Sequence, residues 1–184
     1  MTFWVYLVYN SIEVEVFIML IYHGSNVIVE TPEIFIKYRK MDFGGGFYAT
    51  TDKAQAVDFT NRVEEREKRK NPNYAGKKFV SIYKVDLEKL KGELTCKVFE
   101  NADEEWFDFV DENRKGIYAG KKYDVIIGPV ANDNVYTTFI GYRAGTLTKQ
   151  QAIEKLKAYV LVDQIFFTTQ KALSYLKYVG FEEV

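Results

Sequence analysis

The order of its strand and helix signals constrains this chain most. Apolar or alternating runs and capped amphipathic runs follow one another without the regular strand–helix alternation of a doubly wound parallel sheet. Leu20-Ile21-Tyr22 reads as a short buried strand leading into His23-Gly24-Ser25, and Phe43-Gly44-Gly45-Gly46-Phe47-Tyr48 as a glycine turn running into a strand end. Phe79 to Asp86 and Leu94 to Phe99 alternate as strands; Tyr123 to Gly128 reads as a buried strand closed by Gly128-Pro129, and Leu161 to Phe167 as a last one. Asp52 and Gln55 have capping-box spacing at the start of a helix that runs into the mixed-sign stretch Glu64 to Lys70, a solvated face, and stops at Asn71-Pro72-Asn73. Asp103 to Glu105 open a helix carrying Trp106, Phe109 and Val110, and Asn132 or Asp133 caps one through Tyr136 and Phe139. Thr148 with Gln151 caps another, and Lys171 to Tyr178 predicts a final helix with Gly180 past its end. The pattern implies an α+β fold, with helices packed on a largely antiparallel sheet or pair of sheets.

At 184 residues the chain suits one domain with its own core. The lone Cys96 allows no internal disulfide, and with a single histidine no His/Cys zinc site can be built, so no metal is expected and the reducing cytoplasm is the default compartment. A net charge of -1 removes the global basic excess that non-specific nucleic-acid binding uses. Two apolar runs, Phe3 to Tyr9 and Ile12 to Tyr22, are interrupted by Asn10, Ser11, Glu13 and Glu15, so neither reaches the ~20 residues of a membrane span, and no Lys or Arg precedes Lys37 to make a secretory signal. Glu13 to Val16 alternates as a half-exposed strand would. Met19 offers an internal start three residues before Tyr22, which divides the chain into an extension, residues 1–18, and a single domain, residues 19–184.

Three segments could carry chemistry. His23, the only histidine, is either a strand-terminal side chain bonded to a neighbour or a ligand contact, with Gly24 allowing close backbone approach and Ser25 adding a hydroxyl. The three glycines at 44–46 lack the spacing and the Lys-Ser/Thr of a phosphate loop. Tyr48 and Phe59 are either core rings or a pair that sandwiches a planar ligand; a cationic pyridinium would gain about 0.5–2 kcal/mol from such rings. In Asp163-Gln164-Ile165-Phe166-Phe167, alternation puts Gln164 and Phe166 on one face and Asp163, Ile165 and Phe167 on the other, so Gln164 is either a water-exposed edge residue or a donor–acceptor suited to sugar hydroxyls.

In this order, Tyr22-His23-Gly24-Ser25, the glycine–aromatic–Tyr48-Ala49 segment and the Asp-Gln-Ile strand resemble the three motifs of the ADP-ribosyltransferase superfamily, in its poly(ADP-ribose) polymerase-like and diphtheria-toxin-like branch. More closely, Ile21 to Val184 resembles an uncharacterised bacterial family in this clan, domain of unknown function 3990, through Tyr-Asp-Val-Ile-Ile-Gly-Pro-Val-Ala-Asn-Asp (Tyr123 to Asp133) and the Asp-Gln-Ile strand.

The resemblance implies an ADP-ribosyltransferase-like fold of split, largely antiparallel sheets with flanking helices. It implies NAD as substrate, cleaved at the nicotinamide–ribose bond, with Gln164, His23 and Tyr48 as catalytic residues. His23 would bond the adenosine-side ribose, the Gly24 backbone would take the carboxamide, Ser25 would be a further NAD-binding residue, and Tyr48 and Phe59 would stack on nicotinamide. Gln164 stands where active members often carry Glu; it can bond the ribose 2′-hydroxyl but can neither offset a cationic ribosyl centre with full charge nor act as a general base. Poly(ADP-ribose) elongation is therefore not expected. Single transfer to an unknown protein, nucleic-acid or small-molecule acceptor, NAD hydrolysis and a silent NAD- or ADP-ribose-binding module stay open, as does a toxin with an antitoxin partner or a phage-defence component. An RNA 2′-phosphotransferase would need several basic contacts to phosphates, and no such set is evident. Arg39 and Arg62 are pyrophosphate candidates by charge alone. Asp124, Asn132 and Asp133 are either contacts to an acceptor or the nucleotide or, as the stronger reading, structural residues explained by helix capping and a Gly128-Pro129 turn.

Overall fold

A computed structural model describes residues 3–9, 12–35, 41–129, 133–157 and 163–184. They form, in chain order, β1 (Phe3–Tyr9), β2 (Ile12–Ser25), β3 (Phe47–Thr50), α1 (Lys53–Lys70), β4 (Phe79–Asp86), α2 (Leu87–Glu93), β5 (Cys96–Val98), α3 (Glu104–Lys115), β6 (Val125–Pro129), α4 (Asp133–Arg143), α5 (Lys149–Lys157), β7 (Asp163–Phe167), α6 (Gln170–Leu173) and β8 (Lys177–Glu183). The strands pair in the order β5-β6-β7-β3-β2-β4-β8, with β1 folded back on the first half of β2. Every pairing is antiparallel except β5 with β6. Mixed α and β with a mostly antiparallel sheet is the class that the element order implies.

The sheet is continuous, yet it narrows to a single pair. β3 runs alongside β7 for its whole length, while β2 and β3 meet only at Tyr22↔Thr50. Two cores cover the two faces of the sheet, and one of them spans the joint. On one face, Trp106, Phe107, Phe109 and Val110 of α3 pack with Phe139 of α4, Ala152, Ile153 and Leu156 of α5, and Ile126 and Phe166 of the sheet. Phe107 and Phe139 stack at 4.5 Å, an arrangement worth about 0.5–1.5 kcal/mol beyond the area it buries. The opposite core takes Ile21, Phe47, Tyr83, Val85, Ile165 and Phe167 under Leu90 of α2 and Leu173 of α6. Gln164 and Phe166 thus face away from Ile165 and Phe167, as alternation requires.

Local chemistry sets most element ends. Asp52 caps α1 by accepting from the backbone N–H groups of Ala54 and Gln55. Asp103 caps α3, and Gly116, with φ of 73°, ends it in the left-handed region. Thr148 and Gln151 complete a reciprocal box at α5.

Three expectations need correction. Lys171 to Tyr178 is not a helix: Thr169 caps only one turn, α6, and Gly180 lies inside edge strand β8. Gly128-Pro129 closes no turn but ends β6, with Pro129 opposite Asp163. The strand expected from Leu94 shortens to β5, and the unexpected α2 precedes it, capped by Asp86. Of the expected extension, residues 3–9 form β1 and residues 12–18 the start of β2, which runs unbroken into Ser25. The Asn132 cap falls outside the described residues. Among those described, no helix is long and apolar enough to cross a membrane.

Candidate functional site

Where β2 and β3 part, a cleft of about 1150 Å³ opens, bounded by the end of β2, the glycine turn, α1 and the head of β7. His23, Gly24, Ser25, Tyr48, Phe59 and Gln164 all line it. Four separate stretches of chain supply these six residues.

His23 sits one step beyond the Tyr22↔Thr50 joint, where the ladder between β2 and β3 stops. Its Nδ1 lies 2.7 Å from the Tyr48 carbonyl, so the imidazole satisfies a backbone group that the missing ladder leaves over. A carbonyl only accepts; Nδ1 therefore carries the proton. Burial holds the ring's pKa below its usual 6.5, so near neutral pH it is uncharged and Nε2 is an acceptor. The ring also rests 4.5 Å from that of Phe47.

Gly24 owes its identity to packing. A Cβ there would fall 2.0 Å from the carbonyl oxygen of Ala56, so the glycine makes room for α1 rather than for a ligand, while its backbone still borders the cleft. Ser25 Oγ receives the Val27 N–H at 3.4 Å and keeps its own proton to donate.

Tyr48 is locked in place. Its ring lies 4.3 Å from Phe166, its hydroxyl donates to the Gly44 carbonyl at 2.9 Å, and it accepts the Phe43 N–H at 3.1 Å. The phenol thus cross-links the glycine turn, and its burial pushes the pKa well above the ordinary value. Phe59, 36% exposed on α1, presents its ring across the cleft. Gln164 is 7% exposed, opposite Thr50 on one side and Gly128 on the other. Its Nε2 lies 3.5 Å from both Asp42 Oδ2 and the Pro129 carbonyl.

Asp163 lies apart from this lining: its side chain is exposed and its carbonyl accepts from Thr50. Asp124 is structural, receiving the Thr95 N–H and the Thr169 hydroxyl. Arg62 lines the cleft, and Arg39 falls outside the described residues.

The sequence reading missed Asp42, Arg66, Arg114 and Tyr136, which also line the cleft. Arg114 bonds Asp42 Oδ1 through Nε at 2.7 Å and Nη2 at 2.6 Å, with both side chains 11% exposed, and its guanidinium lies 5.5 Å from the Tyr136 ring centre.

The model of one protein family, described as a protein of unknown function (DUF3990), matches residues 19–178. The chain belongs to this family. The match begins at Met19 and includes every cleft residue named above. The chain matches no curated protein and no solved structure.

Proposed function

We propose that this DUF3990 protein is an ADP-ribosyltransferase-like enzyme that binds NAD in the β2–β3 cleft and releases nicotinamide. The observation that carries the reading is the meeting of His23, Gly24, Ser25, Tyr48, Phe59 and Gln164 around one cavity, although they come from stretches up to 141 positions apart along the numbering (His23 to Gln164). The cleft's size fits a dinucleotide, and its lining joins aromatic faces for a pyridinium ring to polar atoms for ribose hydroxyls. In this reading the fold is the split-sheet fold of that superfamily, and the narrow joint at Tyr22↔Thr50 is the split.

The bond between the ribosyl anomeric carbon and the pyridinium nitrogen breaks with its electron pair going to nicotinamide, which leaves neutral. The oxocarbenium-like centre is then attacked by an acceptor nucleophile that gives up a proton, or by water. His23 Nε2 accepts from a ribose hydroxyl, Tyr48 and Phe59 hold the ring, and Gln164 bonds the 2′-hydroxyl; positioning is the main catalytic contribution.

Incubation of the pure protein with labelled NAD and cell lysate tests this: nicotinamide release or an ADP-ribosylated acceptor is expected, and silence in both from folded protein overturns turnover. Neutral Gln164 favours a second reading, a module that binds NAD or ADP-ribose without cleavage. Calorimetric binding with no nicotinamide release would select it.

A further inference from the structure

The cleft holds a carboxylate to which the reading above gives no role. Asp42 is 8% exposed and lines the same cleft as Tyr48 and Gln164. Two Arg114 nitrogens fix its Oδ1, and its Oδ2 faces Gln164 Nε2 at 3.5 Å, the same distance as that nitrogen keeps from the Pro129 carbonyl. Both neighbours of the amide are pure acceptors. The NH₂ end must face them, because the reverse orientation would set amide oxygen against carboxylate in a buried site. Gln164 Oε1 takes no hydrogen bond from the described residues, and Gln164 lines the cleft.

We infer that Asp42, anchored by Arg114, is a positioning residue that turns the Gln164 amide so that its carbonyl oxygen faces the cleft as an acceptor for a ligand hydroxyl. The inference rests on the nucleotide reading and names the hydroxyl: the 2′-hydroxyl of the nicotinamide-side ribose. A neutral amide held this way presents the same hydrogen-bond polarity as an ionised carboxylate, with the charge of Asp42 behind it.

Asp42→Asn is isosteric and discriminating. The Arg114 nitrogens claim the single Asn oxygen, so the new NH₂ group faces Gln164 Nε2 donor to donor while the Pro129 carbonyl still holds that end, and the amide loses its single fixed orientation. NAD and an analogue lacking the nicotinamide-side 2′-hydroxyl are compared by calorimetry on the full chain, wild type, Asp42→Asn and Gln164→Leu. Wild type should prefer NAD by about tenfold or more, the range of a hydrogen bond lost from a buried group; Gln164→Leu should bind the two ligands alike, and Asp42→Asn should lose most of the preference. A merely structural role for Asp42 would weaken both ligands equally, and that outcome overturns the inference, as does an Asp42→Asn variant with the preference intact. Should Asp42→Asn fail to fold, wild type against Gln164→Leu decides: equal affinities of wild type for the two ligands overturn it. Wild type that binds no NAD overturns the nucleotide reading and this inference together, whereas NAD binding without the 2′-hydroxyl preference overturns the inference alone.

Discussion

His23 is the only histidine in the chain, so its ionisation is readable without assignment. Burial lowers its pKa in the fold, so between that value and 6.5 the unfolded chain binds more protons than the folded one. Stability therefore falls as pH drops through this window. Proton NMR should place the imidazole midpoint below 6.5, and urea denaturation should show a loss of stability on acidification that His23→Gln flattens. Gly24→Ala drives a methyl group into the Ala56 carbonyl and should destabilise by about 1–3 kcal/mol or more in the same assay, with β2 and α1 forced apart. The six cleft residues were legible through short patterns: His23 to Ser25 at the end of one strand, Tyr48 and Gln164 near the start of two others, and Phe59 on the helix that Asp52 caps. Asp42 and Arg114 were not, since nothing in a one-dimensional pattern pairs a carboxylate beside a glycine turn with an arginine 72 positions later in the last turn of an amphipathic helix.

Helix α1 supplies both Phe59 and Arg62 to the cleft, so its start is an element on which the site depends. Asp52→Ala removes the acceptor for two backbone N–H groups and should cost about 1 kcal/mol of stability, measured by denaturant titration. Caps of this kind are written in a few adjacent residues, which is why α1, α3 and α5 could be read from sequence. The segment after Thr169 could not. Leu173 and Leu176 are spaced as on a helix, yet the ladder of β4 continues outward through Tyr83↔Tyr178 and Phe79↔Glu183, and pairing with a neighbouring strand outweighs a four-residue helical start. Helix α2 escaped for the opposite reason: its two buried positions, Leu87 and Leu90, are too few to establish a period.

Over the whole molecule, the described core residues of both faces begin at Ile21, two residues inside the family match. A chain beginning at Met19 should fold and melt within a few degrees of the full one by circular dichroism, a shift corresponding to about 1 kcal/mol or less. Loss of a cooperative transition would show that the β1–β2 hairpin is integral.

The overall α+β class was legible because element order survives in sequence. The narrowing between β2 and β3 was not, since register between strands 25 or more residues apart leaves no mark in either strand alone. That narrowing separates two design problems. A single residue pair joins β2 to β3 in the ladder, while the core of Ile21, Tyr83, Phe47, Ile165 and Phe167 packs across that seam. Insertions or deletions in the stretch from Asn26 to Gly46 that spare Val29, Ile34 and Phe43 can therefore reshape the binding chamber while leaving both cores in place. Diversity of ligand or acceptor among family members should accordingly concentrate in that stretch, with the two cores acting as a constant frame.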